Sequence, residues 1–489
     1  MFLKSNHALR TFFTCCILAL LSNTAMNAQS KAAQIEDLMT LYSEYGQFNG
    51  SVLVAEDGEI IYKNGFGKAN MEWDIPNDEN TKHRLGSITK QFTSMLILLL
   101  VEEGKLKLEV PIITYLQDYP KTTGDKITLH HLLTHTSGIP NYTSFPKFFA
   151  ETSRDPFTPN DFTSLFKDME LEFAPGEKYS YSNSGYFLLG VIIEKVTGKS
   201  YEENLQEKIF KPLNMKDTGF DHHDVILKNR ASGYQERGNS YSNAPYLDMS
   251  IPYSAGSIYS TVEDLYLWDR GLASNKLLSE KNKELLFTPH IKSGDSFYGY
   301  GWGVDKMPDG ISKDSITIVG HGGGINGFNT IINRTPSKQD LIVLLNNTGG
   351  TNLGEMSRNI YKILNGMPYD LPQKSLANFL MEEINKNGLE AGLAAFEKQK
   401  AAKEFILKED DINALGYQFL QSGKLNEAIA VFKLNVTEFP ESSNVYDSLG
   451  EAYMVAGNKE LAILNYKRSV ELDPKNENGK EMLKKLQGE

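Results

Sequence analysis

The stretch "LGSITKQFTSMLILLLVEEGK", residues 85–105, limits the fold more than any other part of the chain. Phe92, Met95, Leu96, Leu98, Leu99 and Leu100 spread around a helix, leaving it no face suited to water, so it belongs inside a large core. Ser87 opens the helix and Gly104 is placed to end it. Between Ser87 and Val101 the one charge is Lys90, a turn from Ser87 on the same face. An ammonium buried there loses hydration and faces the positive helix N-terminus, so its pKa falls. Half neutrality at pH 7 needs a drop of roughly 3 units, about 4 to 5 kcal/mol. A lysine so tuned can take the serine proton, and the alkoxide can attack a carbonyl with Ser87's own N–H as one oxyanion donor. The plainer alternatives are a serine N-cap and a snorkelling lysine.

Ser-x-x-Lys occurs at Ser87, Ser144 and Ser164, and only the first has this setting. "SFPK" at 144 holds a proline that spoils helix geometry, and "SLFK" at 164 lies among acidic residues. A proton leaving the serine needs a second carrier, for which a tyrosine followed by an amide is the natural candidate. Tyr-x-Asn occurs at Tyr62, Tyr181 and Tyr241. Tyr62 falls in a hairpin and Tyr241 in a polar loop, whereas Tyr181 and Asn183 sit where a loop meets the helix "SGYFLLGVIIEKVTG". Tyr181 is thus a candidate proton relay, and Asn183 a group that positions Lys90 and the acyl chain. Which of Lys90 and Tyr181 carries the proton stays open, because coupled sites titrate as a pair. A third element, "IVGHGGGINGF" at 318–328, runs a strand into His321, Gly322, Gly323 and Gly324. Its glycines let substrate and serine approach the backbone, with His321 and Gly323 as substrate contacts and the Gly324 N–H completing an oxyanion pair with Ser87.

In this order, "LGSITKQFTS", "YSYSNSGY" and "GHGGGINGF" resemble the serine β-lactamase and penicillin-binding-protein family, in its class C-like branch of D,D-peptidases and esterases. "ITLHHLLTHTSGIP", "AGSIYSTVEDLYLW" and "YGYGWGV" agree with it, and the likeness covers about residues 35–365. The resemblance implies an acylated Ser87, an acid/base pair of Lys90 and Tyr181, a positioning Asn183, an oxyanion hole of Ser87 and Gly324, and no metal or organic cofactor. No equivalent is visible of the glutamate that activates deacylating water in class A enzymes, leaving Lys90 and Tyr181 to serve both half-reactions. His321 stands where penicillin-recognising members have lysine. A histidine, largely neutral at pH 7, attracts a carboxylate weakly, which points away from efficient β-lactam hydrolysis.

The fold expected is an α/β (α+β) β-lactamase-like one, an antiparallel sheet flanked by helices with an inserted helical subdomain, followed by an all-α domain. Strands are expected on either side of Asp57-Gly58 and at 315–320, 327–335 and 341–347, with 127–300 mostly helical and loop-like and a closing helix near 353–365. In the tail, Leu415-Gly416, Gly423, Ala428, Phe432 and Pro440 recur 34 residues on as Leu449-Gly450, Gly457, Ala462, Tyr466 and Pro474. The period resembles tetratricopeptide repeats, at about 412–445 and 446–479. With 489 residues, two or three folding units are expected: a domain over 29–365, a linker over 366–375 with two prolines, and a helical domain over 376–489.

Residues 1–28 read as a secretory signal peptide, with Lys4 and Arg10 before and beside a short apolar run, so the mature protein is expected to be periplasmic or secreted. Both cysteines, Cys15 and Cys16, leave with it, excluding disulfides and thiolate chemistry from the mature chain. A net charge of −12 argues against binding nucleic acid or anionic lipid. His131 and His135 stand at i, i+4 but lack the glutamate of a zinc helix, so they read as packing or hydrogen-bonding groups, and "DHHD" at 221–224 reads as an exposed loop. The expected function is a secreted serine hydrolase for an ester, amide or D-amino-acid peptide, with a protein partner possible at the repeats. The alternative is a catalytically silent scaffold that binds peptidoglycan-like ligands.

Overall fold

The computed structural model describes residues 31–237, 240–310 and 315–488; the signal peptide read over 1–28 lies outside them. Two compact units divide the chain. One runs to Gln235 and resumes over Ser242–Asp370; the other comprises Glu236–Tyr241 and Leu371–Glu489.

The first unit is built on an antiparallel sheet of eight strands. These are β1 (Gly50–Glu56), β2 (Glu59–Phe66), β3 (Ile291–Ser293), β4 (Ser296–Tyr298), β5 (Gly303–Pro308), β6 (Ser315–Ile325), β7 (Phe328–Thr335) and β8 (Asp340–Asn346). They lie in the order β3-β4-β5-β6-β7-β8-β1-β2. The β1–β2 hairpin turns through Asp57 (φ 50°) and Gly58 (φ 86°), a left-handed pair that suits the twist of the two strands. The two ends of the domain meet where β1 pairs with β8, from Gly50 opposite Asn346 to Ala55 opposite Leu341. Both faces of β1 are covered, so its side chains read as a continuous apolar run rather than an alternating one. Val52 and Val54 pack with Ile342, Leu344, Ile35 and Ile360 under the helices at 31–44 and α5 (Leu353–Leu364). Leu53 and Ala55 face the opposite core with Val343 and Leu345.

That opposite core receives the apolar helix α2 (Thr89–Glu102), in which every residue but Leu99, Val101 and Glu102 is buried. Ser87 does not begin this helix. It lies in a short 3-10 turn, Gly86–Ile88, and caps neither segment with its side chain, which removes the N-cap explanation for it. Helix α4 (Val262–Ala273) holds α2 in place: the Trp268 ring stacks on Phe92 at 4.4 Å, and its Nε1 donates to Gln91 Oε1 at 3.1 Å. Helix α3 (Asn183–Thr197) crosses the same core with Tyr186, Phe187 and Leu189 fully buried.

The middle of the chain is less purely helical than its composition suggests. It supplies β3 and β4 to the main sheet, and Ile258–Ser260 lies between His83–Arg84 and Gly219–Phe220 in a small second sheet. "DHHD" is not a plain exposed loop either. Asp221 is fully buried because Arg84 Nε donates to it at 2.6 Å and Arg230 lies 3.3 Å away.

The second unit is almost entirely helical. Helices Glu409–Gln421 and Leu425–Glu438 are followed by Ser443–Val455 and Lys459–Leu472, with the same lengths and turns. The recurring glycine is a close-approach position: a Cβ at Gly416 would lie 2.5 Å from the Phe432 ring, and one at Gly450 3.2 Å from the Tyr466 ring.

Trp268→Ala should leave a large cavity beside α2 and lower stability by about 3–5 kcal/mol, read from urea unfolding. A loss below about 1 kcal/mol would show that α4 does not hold α2.

Candidate active site

The turn carrying Ser87 is pressed against the glycine end of β6. Gly86 is left-handed (φ 55°), and a Cβ on it would sit 3.0 Å from the backbone of Gly324. Gly323 is buried for the same reason: its Cβ would fall 1.9 Å from the Leu85 carbonyl and 2.3 Å from Thr330 Oγ1, which donates to that carbonyl at 2.7 Å. Gly324 itself is exposed beside Gly86. The strand and the serine turn therefore touch through backbone alone.

Lys90 is fully buried, and its Nζ lies 2.9 Å from Ser87 Oγ, 2.8 Å from Asn183 Oδ1 and 2.9 Å from the Ala255 carbonyl. Burial drives its pKa well below that of an ordinary lysine. Asn183 Oδ1 and the Ala255 carbonyl can only accept. The two protons of a neutral amine go to them, and its lone pair is left facing Ser87 Oγ. The Tyr181 hydroxyl donates to the same Oγ at 2.9 Å. Burial pushes this phenol upward, so it keeps its proton. Its ring lies 4.9 Å from Lys90 Nζ, and the Tyr186 ring lies 5.6 Å away on another side. Asn183 opens α3 and is oriented from behind, its backbone N–H donating to Asn141 Oδ1 at 3.1 Å.

His321 stands at the edge of this cluster, half-buried, with its ring 6.4 Å from that of Tyr181. Burial, and next the nearby Lys90, hold its pKa down to about 4. The Gly322 carbonyl lies 2.5 Å from Nδ1 and can only accept, so Nδ1 carries the proton. Nε2 then accepts from the Tyr298 hydroxyl at 2.9 Å. This imidazole is neutral and its ring nitrogens are both engaged. A cavity of about 570 Å³ runs past Tyr179, Tyr181, Tyr298 and His321.

The structure thus brings Ser87, Lys90, Tyr181 and Asn183 into direct contact, with Gly323 and Gly324 behind the serine and His321 beside the tyrosine. Sequence reasoning missed the Ala255 carbonyl, Asn141, Tyr298 and His135. A backbone acceptor leaves no mark in a motif. Asn141 follows directly on "SGIP", and "YGYGWGV" contains Tyr298, so those two lay within reach. His131 closes a capping box, its Nδ1 accepting from the Thr128 N–H at 3.2 Å. Among the described residues, no group of three or more His, Cys, Asp or Glu side chains is arranged to hold a metal, and no helix is long and apolar enough to cross a membrane.

The Beta-lactamase family model matches residues 32–365. The chain belongs to the β-lactamase family. It is a serine hydrolase of that type. Penicillin-binding protein 4* of Bacillus subtilis is 33% identical over 368 residues, covering 71% of this chain and 79% of that one. Among solved structures, a penicillin-binding protein from Bacillus halodurans is 28% identical at a TM-score of 0.58, covering 67% of this chain and 97% of that one. A D-stereospecific amidohydrolase from Streptomyces is 26% identical at a TM-score of 0.54, covering 64% and 92%.

Gly323→Ala should force β6 off the serine turn, costing about 1–3 kcal/mol of stability. Ester turnover should fall at least tenfold, because the two backbones no longer close on one another. Unchanged melting and turnover would contradict the close packing at this position.

Proposed function

We propose that this protein is an exported hydrolase that forms an acyl-enzyme on Ser87 from an ester, an amide or a D-amino-acid peptide. The observation that carries the reading is one oxygen, Ser87 Oγ, held at 2.9 Å by both a buried amine and a phenol. Lys90 takes the serine proton through its free lone pair as Oγ attacks the carbonyl carbon. The oxyanion that forms is received by the N–H groups of Ser87 and Gly324. The proton on Lys90 passes to the leaving group by way of Tyr181, whose own proton moves first and is replaced. Water then enters, gives its proton to the same pair, and releases the acyl group.

His321 supports the choice of substrate. Being neutral and doubly hydrogen-bonded, it offers a substrate carboxylate no charge, which favours esters and amides over β-lactams. The likeness to a D-stereospecific amidohydrolase supports amides of D-amino acids among them. In this reading residues 1–28 are an export signal. Residues 376–489 form a separate helical domain whose tetratricopeptide-like repeats hold a protein partner.

A fluorophosphonate probe should label the parent and not Ser87→Ala, detected by intact mass. Absence of Ser87-dependent labelling would favour the silent scaffold. Because Lys90 must be neutral to act, the acylation rate should fall as pH drops through its depressed pKa. It should reach its plateau below 10.5, where an ordinary lysine is half neutral. A rate still climbing at that pH would count against Lys90 as the base. In a panel of p-nitrophenyl esters, D-amino-acid amides and nitrocefin, nitrocefin should be turned over at least a hundredfold more slowly than the best ester or amide. Rapid nitrocefin hydrolysis would overturn the assignment to His321.

A further inference from the structure

His135 is read from sequence as a packing or hydrogen-bonding residue, and its surroundings give that reading a specific form. It is 1% exposed and sits in a left-handed conformation, φ 57°, that costs a non-glycine residue of order 1–3 kcal/mol. Its two acceptors both serve the segment that carries Tyr181. The Ser180 N–H donates to the His135 carbonyl at 2.9 Å, and the Ser182 N–H donates to its Nδ1 at 3.1 Å. Between these two bonds the imidazole lies against the phenol ring of Tyr181, centroids 4.2 Å apart and planes 33° apart. One residue therefore grips Tyr181 immediately before it, immediately after it and on its face. The left-handed turn is what lets a single residue aim both its carbonyl and its ring at one strand-like segment.

The hydrogen bonding also selects a tautomer. Nδ1 accepts from Ser182, so the ring proton is on Nε2, which is buried and has no hydrogen-bond partner. An orphaned buried donor is costly, by about 1–3 kcal/mol, and its persistence calls for a reason. The groups around it are aromatic: the rings of Tyr186 and Tyr298 each lie 4.9 Å away, and Tyr179 lies 5.8 Å away. A second ionisable ring carrying charge here would compete with Lys90, and burial together with Lys90 and His321 keeps His135 far below its ordinary pKa.

We infer that His135 is a positioning residue for the Tyr181 phenol, a neutral Nε2–H imidazole that fixes the hydroxyl on Ser87 by clamping the backbone on both sides of Tyr181 and its ring. The inference rests on the Ser87 acyl-enzyme reading for its catalytic consequence, and on geometry alone for the clamp. A misplacement of about 1 Å at a reacting group can lower a rate about a hundredfold.

The test is a double-mutant cycle. His135→Asn keeps an acceptor on the same Cγ for Ser182 and tolerates positive φ, so it removes mainly the ring support. With a p-nitrophenyl ester, kcat should fall 10- to 100-fold while KM changes less than threefold. In a Tyr181→Phe background the same substitution should cost less than threefold, because the group it positions is gone. An unchanged kcat, or the same loss in both backgrounds, would overturn the proposal. Nitrogen-15 NMR of labelled histidine in the parent gives an answer even where the variant fails to fold. It should find the His135 ring, assigned through its contact with the Tyr181 ring, with its proton on Nε2 and none on Nδ1 across the active pH range; a proton on Nδ1 of that ring would break the Ser182 bond and sink the clamp. A parent that shows no Ser87-dependent labelling would refute the acyl-enzyme reading, and the NMR tautomer would still decide whether the clamp exists.

Discussion

The site depends on an amine buried with neutral company. Ser87, Asn183 and Ala255 are the groups within hydrogen-bond distance of Lys90 Nζ, and none carries a charge. A carboxylate at any of those places would keep the ammonium protonated and end its use as a base. The fold sustains the arrangement by surrounding Lys90 with the apolar helix α2, the aromatic rings of Tyr181 and Tyr186, and a backbone carbonyl that accepts a proton without bringing a charge. The cost of burying the amine is carried by the large core around it, for α2 is buried at every residue but Leu99, Val101 and Glu102.

Close backbone approach is the second constraint, and it follows from the first. The serine must reach a lone pair at one side and oxyanion donors at another, so three segments far apart in sequence converge within a few ångströms. Glycine makes this possible at the points of contact. Gly323 admits the Leu85 carbonyl, and Gly301, left-handed at φ 79°, leaves room for the Lys90 carbonyl, 2.8 Å from where its Cβ would stand. The sheet supplies the rigidity: β5 pairs with β6 from Ser315 to Gly320, and β7 pairs with it from Val319 to Ile325, so the glycine end is held against the serine turn by β7.

Much of this was legible in advance because chemistry and periodicity both leave local marks. The run from Phe92 to Leu100 announced a buried helix, Asp57-Gly58 a hairpin, and Ser87, Lys90, Tyr181 and Asn183 a cluster of side chains that the structure brings together. What stayed hidden was non-local. Strands β3 and β4 are three residues each, too short to show a period of two. Asp221 looked exposed among polar neighbours, and its burial is explained by Arg84, distant in sequence, together with Arg230. His135 read only as a packing or hydrogen-bonding histidine because the segment it faces, Ser180 to Ser182, is distant in sequence.

By itself, then, the sequence determined the family and which helix must lie inside, since motif residues and apolar spacing are properties of single segments. Tertiary structure alone decided that Lys90 is buried against uncharged partners, that His321 is neutral with its ring nitrogens engaged, and that His135 holds Tyr181. Each of those depends on an acceptor contributed by another residue's backbone or by a distant side chain, and protonation follows from the partners that folding brings within 3 Å or so.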